Sequence, residues 1–244
     1  RDGLTFRLLQ YLMNAGDWRE AHAASGRLRR SLAERYGEDV TDPSISRRRA
    51  QAIPGPAEIG RHVPWFVLEL HHALGILDVA GGGSAEQARA HFGLVVGSAP
   101  WLAAIDPTYL PTATSYAYNA RYQLAAMSLA HGSSTELETF LDLERGWAGT
   151  DLPFAPGREI LAVAASELFK AHVLAGRYDA ARLEEERLNR LLCRALRVPK
   201  LDVTALAGWV RSEPQAAIEK EGLVQAAAWS AFARGLLRLD GDGR

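Results

Sequence analysis

Seven residues of this chain are written twice, as AGDWREA at 15–21 and as AGRYDAA at 175–181. The agreement extends outward: Leu8 meets Leu168, Leu28 meets Leu188, Leu32 meets Leu192, and Arg27 and Arg30 meet Arg187 and Arg190. Such a pattern suits a pair of antiparallel helices. The glycine (Gly16, Gly176) lets the first helix end in a left-handed turn. The aromatic that follows (Trp18, Tyr178) is placed to fill the wedge between the helices. The alanine beyond it (Ala21, Ala181) sits where the helices approach most closely and a larger side chain has no room. A chain that uses this solution near both ends is committed to helical hairpins.

The helical period runs through the rest of the sequence. Leu4, Leu8, Tyr11, Leu12 and Ala15 share one face and predict the buried stripe of the first helix. Asp17 is placed to cap the second, whose stripe is Trp18, Ala21, Ser25, Leu28 and Leu32. Residues 36–58 read as a polar connector because Pro43, Pro54 and Pro56 forbid one continuous helix. Helices are expected near 57–79, after a Ser84 cap, over 112–130, after a Ser134 or Thr135 cap, and over 158–175 and 178–196. Two more should follow Pro199 and Pro214. A proline-punctuated bend is expected at 98–111, a loop at 149–159 and a frayed tail after 238. No stretch alternates with period two, so no sheet is expected. Weaker echoes of the glycine turn stand at AGGGSAEQA (80–88) and AHGSSTELE (130–138).

The two hairpins resemble the turn of the tetratricopeptide family, whose units read Gly-Asp-Tyr-x-x-Ala at this point. Carried over by position, Gly16 and Gly176 are the turn, Trp18 and Tyr178 the wedge, and Ala21 and Ala181 the close contact. The chain departs from that pattern at Leu9 and Phe169, where the family places a small residue, and at Leu28 and Leu188. LTFRLLQYLMNAGDWREA is also similar to pentatricopeptide units, which bind RNA. RLRRSLAERYGEDVTDPS is similar to the end of the helical activation domain of certain bacterial antibiotic-pathway regulators. The main resemblance implies an all-α solenoid of stacked antiparallel hairpins, about ten helices, as a single domain over 1–244 with a proline-rich connector at about 38–57.

Formal net charge is −1, from 28 basic and 29 acidic residues. That balance gives no whole-chain claim on nucleic acid or anionic membrane, and DNA is not an expected partner. The one cysteine, Cys193, rules out an intramolecular disulfide and reads as a buried structural residue in a leucine run. No run approaches the roughly 18 to 20 apolar residues that span a bilayer, and an intracellular location is expected. The opening without Met suggests a fragment or processed product.

His71 and His72, with Glu69 and Asp78, are the densest set of metal-ligand types. Adjacent histidines on a helix point about 100° apart, so the pair reads as helix surface or partial core, with no metal and no cofactor. Arg47, Arg48 and Arg49 read as a solvated loop, and RLEEERLNR (182–190) as a solvent-facing helix with charge pairs. Phosphate-loop and nucleophile-elbow patterns are missing, so no catalytic residue is assigned. The best candidate for a partner-binding face is Tyr118, Asn119, Arg121 and Tyr122, since Tyr118 and Tyr122 share a face and this residue mix suits gripping another chain. The expected function is a non-enzymatic scaffold for protein–protein interaction. Alternatives are an RNA-binding repeat protein and a helical enzyme whose site is assembled from distant residues.

Overall fold

A computed structural model describes residues 2–52, 65–147, 157–201 and 203–241. Twelve α-helices form among them: α1 (Asp2–Asn14), α2 (Trp18–Tyr36), α3 (Pro43–Gln51), α4 (His71–Ala80), α5 (Ala85–Ile105), α6 (Leu110–Ala130), α7 (Thr135–Trp147), α8 (Gly157–Leu174), α9 (Tyr178–Leu196), α10 (Val203–Ser212), α11 (Pro214–Glu219) and α12 (Glu221–Gly241). A π turn (Trp65–Leu70) leads into α4 and a 3-10 turn (Pro107–Tyr109) into α6. No strand occurs among the described residues. The chain divides into two compact units, Arg1–Met127 and Ser128–Arg244, and each holds one of the copied hairpins.

The hairpin turns follow one hydrogen-bonding scheme. Gly16 (φ +72°) and Gly176 (φ +70°) are left-handed. Gly16 N donates to Met13 O and Asp17 N to Leu12 O, both at 3.0 Å. The second copy repeats this, with Gly176 N to Val173 O (3.0 Å) and Arg177 N to His172 O (2.9 Å). These bonds satisfy the last carbonyls of the outgoing helix. The two echoes are the same turn: Gly132 and Gly82 are also left-handed, with Ser133 N on Ser128 O and Gly83 N on Asp78 O. Asp17 accepts from Glu20 N and Ser84 from Gln87 N, as the capping pattern requires.

Ala21 and Ala181 are fully buried, and so are Leu28, Leu188, Leu32 and Leu192. The wedge differs between copies. Trp18 packs on the core, whereas Tyr178 is 45% exposed. In the second copy Phe169 stands where the first has Leu9, and it packs with Ala181 and Val173.

The buried side of α1 is not the expected stripe. Phe6 and Leu9 face inward with Leu12 and Met13 part-buried, while Leu4 is 75%, Tyr11 70% and Leu8 44% exposed. Apolar residues cover most of α1, so period alone left its rotation open, and polar contacts at its start fix it. Ser31 Oγ donates to Asp2 Oδ1 (2.6 Å) and Arg35 Nη1 to Asp2 Oδ2 (3.0 Å). Led by the Ser31 bond, these hold the Asp2 carboxyl below its ordinary pKa. Phe6 meets Trp65 edge-on, ring centroids 5.3 Å apart.

Three local expectations change. The connector contains α3, because Asp42 caps it through Ser44 N and Ile45 N and Pro43 occupies the first turn, where a missing N–H costs nothing. Arg47, Arg48 and Arg49 therefore lie on a helix. The bend begins only at Asp106: α5 runs through Pro100, held by buried Ser98, Ala99 and Leu102. Three helices, not two, follow Pro199, since α11 stops at Lys220 before α12 begins, and α12 extends to Gly241 where fraying was expected. The expected helix start near 57, Pro54, Pro56, and most of the 149–159 loop lie outside the described residues.

Candidate functional site

The tyrosine face does not gather at a surface. Tyr118 is buried, and Tyr122 is half-buried. Asn119 Nδ2 donates to the Ser115 carbonyl one turn back (2.9 Å). Arg121 alone of the four is exposed. Tyr118 is buried on its own side of α6, and Ala113 and Ala120 are buried on another.

A different concavity stands in the first unit. A cleft of about 800 Å³ opens between α2, the 39–47 segment, α4 and the start of α5. Asp39, Asp42, Asp78 and Glu86 line it, against Arg29 and Arg47, with His22 and His91. Most of these groups are engaged. Arg29 Nη2 pairs with Asp39 Oδ2 at 2.5 Å, and Thr41 Oγ1 donates to Asp39 Oδ1. Asp42 accepts from Ser44 Oγ (2.6 Å) and two backbone amides, which hold its carboxyl below the usual range. His22 Nε2 donates to the Gly81 carbonyl (3.1 Å). Arg47 has no ion pair among the described residues.

His91 connects the cleft to the interior. Its Nε2 lies 3.6 Å from Asp78 Oδ2, and its Nδ1 lies 2.8 Å from Nδ1 of His71, which is fully buried. At that spacing one ring nitrogen donates and the other accepts, so the two rings cannot both be imidazolium. Burial pushes His71 down to about 3, His91 to about 4 and His72 to about 4, and the His91 neighbour adds to the effect on His71. Burial also raises the carboxyls of Asp78 and Glu69. The arrangement depends on Gly75: a Cβ there would stand 2.7 Å from the Phe92 ring, so only glycine lets α4 and α5 come this close. His71 and His72 do point apart, one to His91 and the other to Phe92 and Tyr116. Among the described residues no three His, Cys, Asp or Glu side chains converge as metal ligands.

Sequence reasoning missed His91. Its partner is twenty positions away on another helix, and the packing of α4 on α5, close at Gly75 and Phe92, brings them together. The remaining candidates fall out as follows. Arg48 and Arg49 pair with Glu38 at 3.1 and 3.6 Å. Arg187, expected in solvent, is largely covered and reaches Asp142 of α7 at 3.6 Å. Cys193 is half-buried, its Sγ 3.8 Å from Asn189 Oδ1.

No family model, no curated protein and no solved structure matches the chain.

Proposed function

We propose that the protein is a non-enzymatic helical scaffold that holds partner proteins, an adaptor or subunit of a larger assembly built from hairpins of the tetratricopeptide kind. The observation that supports this is the outward row of α1. Leu4, Leu8 and Tyr11 follow one another at one-turn spacing and are all exposed. Apolar surface in water costs roughly 25 cal/mol per Å², and a continuous row of large side chains is a surface that a partner covers. No helix among the described residues is long and apolar enough to cross a membrane, so a bilayer-spanning role does not account for the row. The RNA alternative loses ground because Arg48 and Arg49 turn to Glu38 and the cleft beside Arg47 is acidic.

A second reading has its own observation. The cleft holds His91 and Asp78, whose proton affinities burial displaces, and helical enzymes use such groups. Against it, Thr41 and Ser44 donate their hydroxyls to Asp39 and Asp42, which leaves neither beside a free base. Affinity capture from the native source separates the two. The scaffold reading expects partners retained by the wild type and by Asp78→Asn, and lost with the Leu4→Glu/Leu8→Glu double variant. Capture that depends on Asp78 alone, or no partner that depends on α1, would overturn it.

A further inference from the structure

The histidine pair fixes what His91 presents to the cleft. His71 gives its Nδ1 to the contact with His91 (2.8 Å), and the backbone acceptor acting on its ring is the Val40 carbonyl. That carbonyl favours a proton on His71 Nε2, which otherwise has no close hydrogen bond. His71 Nδ1 is then the acceptor of the pair and His91 Nδ1 the donor. Burial keeps both rings neutral near pH 7, and a neutral imidazole carries one proton. The Nε2 of His91 is therefore a bare lone pair, on a side chain that is only 9% exposed. It stands 3.6 Å from Asp78 Oδ2, beyond hydrogen-bond length. The Asp78 carboxylate accepts no hydrogen bond among the described residues, and its side chain is only 14% exposed. Two acceptors thus face each other in the cleft wall with no proton between them. A largely buried acceptor without a donor is costly, so the pair favours a ligand that donates to both.

The rest of the cleft sets the charge of that donor. Asp39 is paired with Arg29, which leaves Asp42, Asp78 and Glu86 against Arg47. Three carboxylates to one guanidinium is an excess of two negative charges. Asp42 and Glu86 are exposed, while the buried Leu74 and Leu77 give the same cleft an apolar wall. A metal ion would find two ligands only, since no third His, Cys, Asp or Glu joins them among the described residues. We infer that the cleft binds an aliphatic diamine, with one ammonium donating to both Asp78 Oδ2 and His91 Nε2. The methylenes lie against Leu74 and Leu77, and the second ammonium is held by the field of Asp42 and Glu86. Arg47 opposes it. None of these groups is on α1, so the inference is independent of the scaffold reading.

The test titrates putrescine into the full chain by calorimetry, with butylamine and zinc ion as comparison probes. Asp78→Asn should weaken putrescine about tenfold or more, because a charge-assisted hydrogen bond is lost. Glu86→Gln should weaken it about twofold and Arg47→Ala tighten it about twofold, since both side chains are exposed and screened. Nitrogen NMR of ring-labelled histidine should find His91 Nε2 without a proton in the free chain, and shifted once putrescine is added. That measurement needs no variant to fold. No binding to the wild type, unchanged binding by an Asp78→Asn chain that melts normally, or a proton on His91 Nε2 in the free chain overturns the inference. So does butylamine that binds as tightly as putrescine, because the second ammonium then contributes nothing. Zinc that displaces putrescine from Asp78 and His91 makes the pair half of a metal site and also overturns it.

Discussion

Ala21 and Ala181 have no exposed surface, and Ala181 packs with Phe169 of the partner helix. Leucine at either position has to displace enclosed neighbours, at Ala181 the fully buried Phe169. Ala21→Leu or Ala181→Leu should cost about 1–3 kcal/mol in urea unfolding. Arg47→Ala, exposed and without an ion pair among the described residues, should stay within about 0.5 kcal/mol. Equal tolerance at the two kinds of position would remove the close contact from the hairpin. The same logic divides the tyrosine face. Tyr118→Ala removes a buried ring and should lower stability by roughly 3–5 kcal/mol, while Arg121→Ala should leave the melting temperature unmoved. A Tyr118→Ala protein that melts like the wild type would put that ring back at the surface.

At the scale of elements, the turns were legible and the faces were not. A glycine that must be left-handed leaves a local mark, and all four turns at Gly16, Gly82, Gly132 and Gly176 stand where their glycines indicate, two of them followed by a capping side chain, Asp17 and Ser84. Which arc of a helix turns inward depends on neighbours far along the chain. The Asp2 contacts to Ser31 and Arg35 rotate α1 away from its expected stripe, and the Gly75–Phe92 approach assembles a histidine pair from separate helices. Of the four residues assigned to the binding face only Arg121 reaches solvent, because tyrosine suits a core and a surface equally well. The histidine cluster makes α4 and α5 sensitive to acid. In the fold His71 is held at about 3 and His72 and His91 at about 4, against about 6.5 in the unfolded chain. Between those values the unfolded state binds protons that the folded state refuses. Their stabilising contribution is therefore fully present above about pH 6.5 and is lost as pH falls toward 4, by up to roughly 1.4 kcal/mol per pH unit for each proton. Asp78 and Glu69 act with the opposite sign, because their raised carboxyls take up protons earlier in the fold, and they offset part of the loss. His72 meets only ring edges, Phe92 and Tyr116, and its Nε2 has no hydrogen-bond partner. His72→Phe should then keep the fold at pH 7 and flatten the dependence of stability on pH between 6.5 and 4 by about one proton. An unchanged slope in denaturant titrations would show that His72 titrates normally.

Across the whole molecule, each compact unit contains one copy of the same hairpin, and the copies differ in how exposed one side of the first helix is. In one, Ala164 and Leu168 are completely buried. In the other, three large apolar side chains face solvent. The proposed scaffold role rests on that exposed row. A photocrosslinking residue in place of Leu8, introduced into the full chain and exposed to native extract, tests this most directly. The expected result is a discrete adduct with one partner protein, identified by mass spectrometry, and no such adduct when the crosslinker replaces Leu168, the buried counterpart of Leu8. Crosslinks to water alone, to another copy of this chain, or equally from positions 8 and 168 would contradict it.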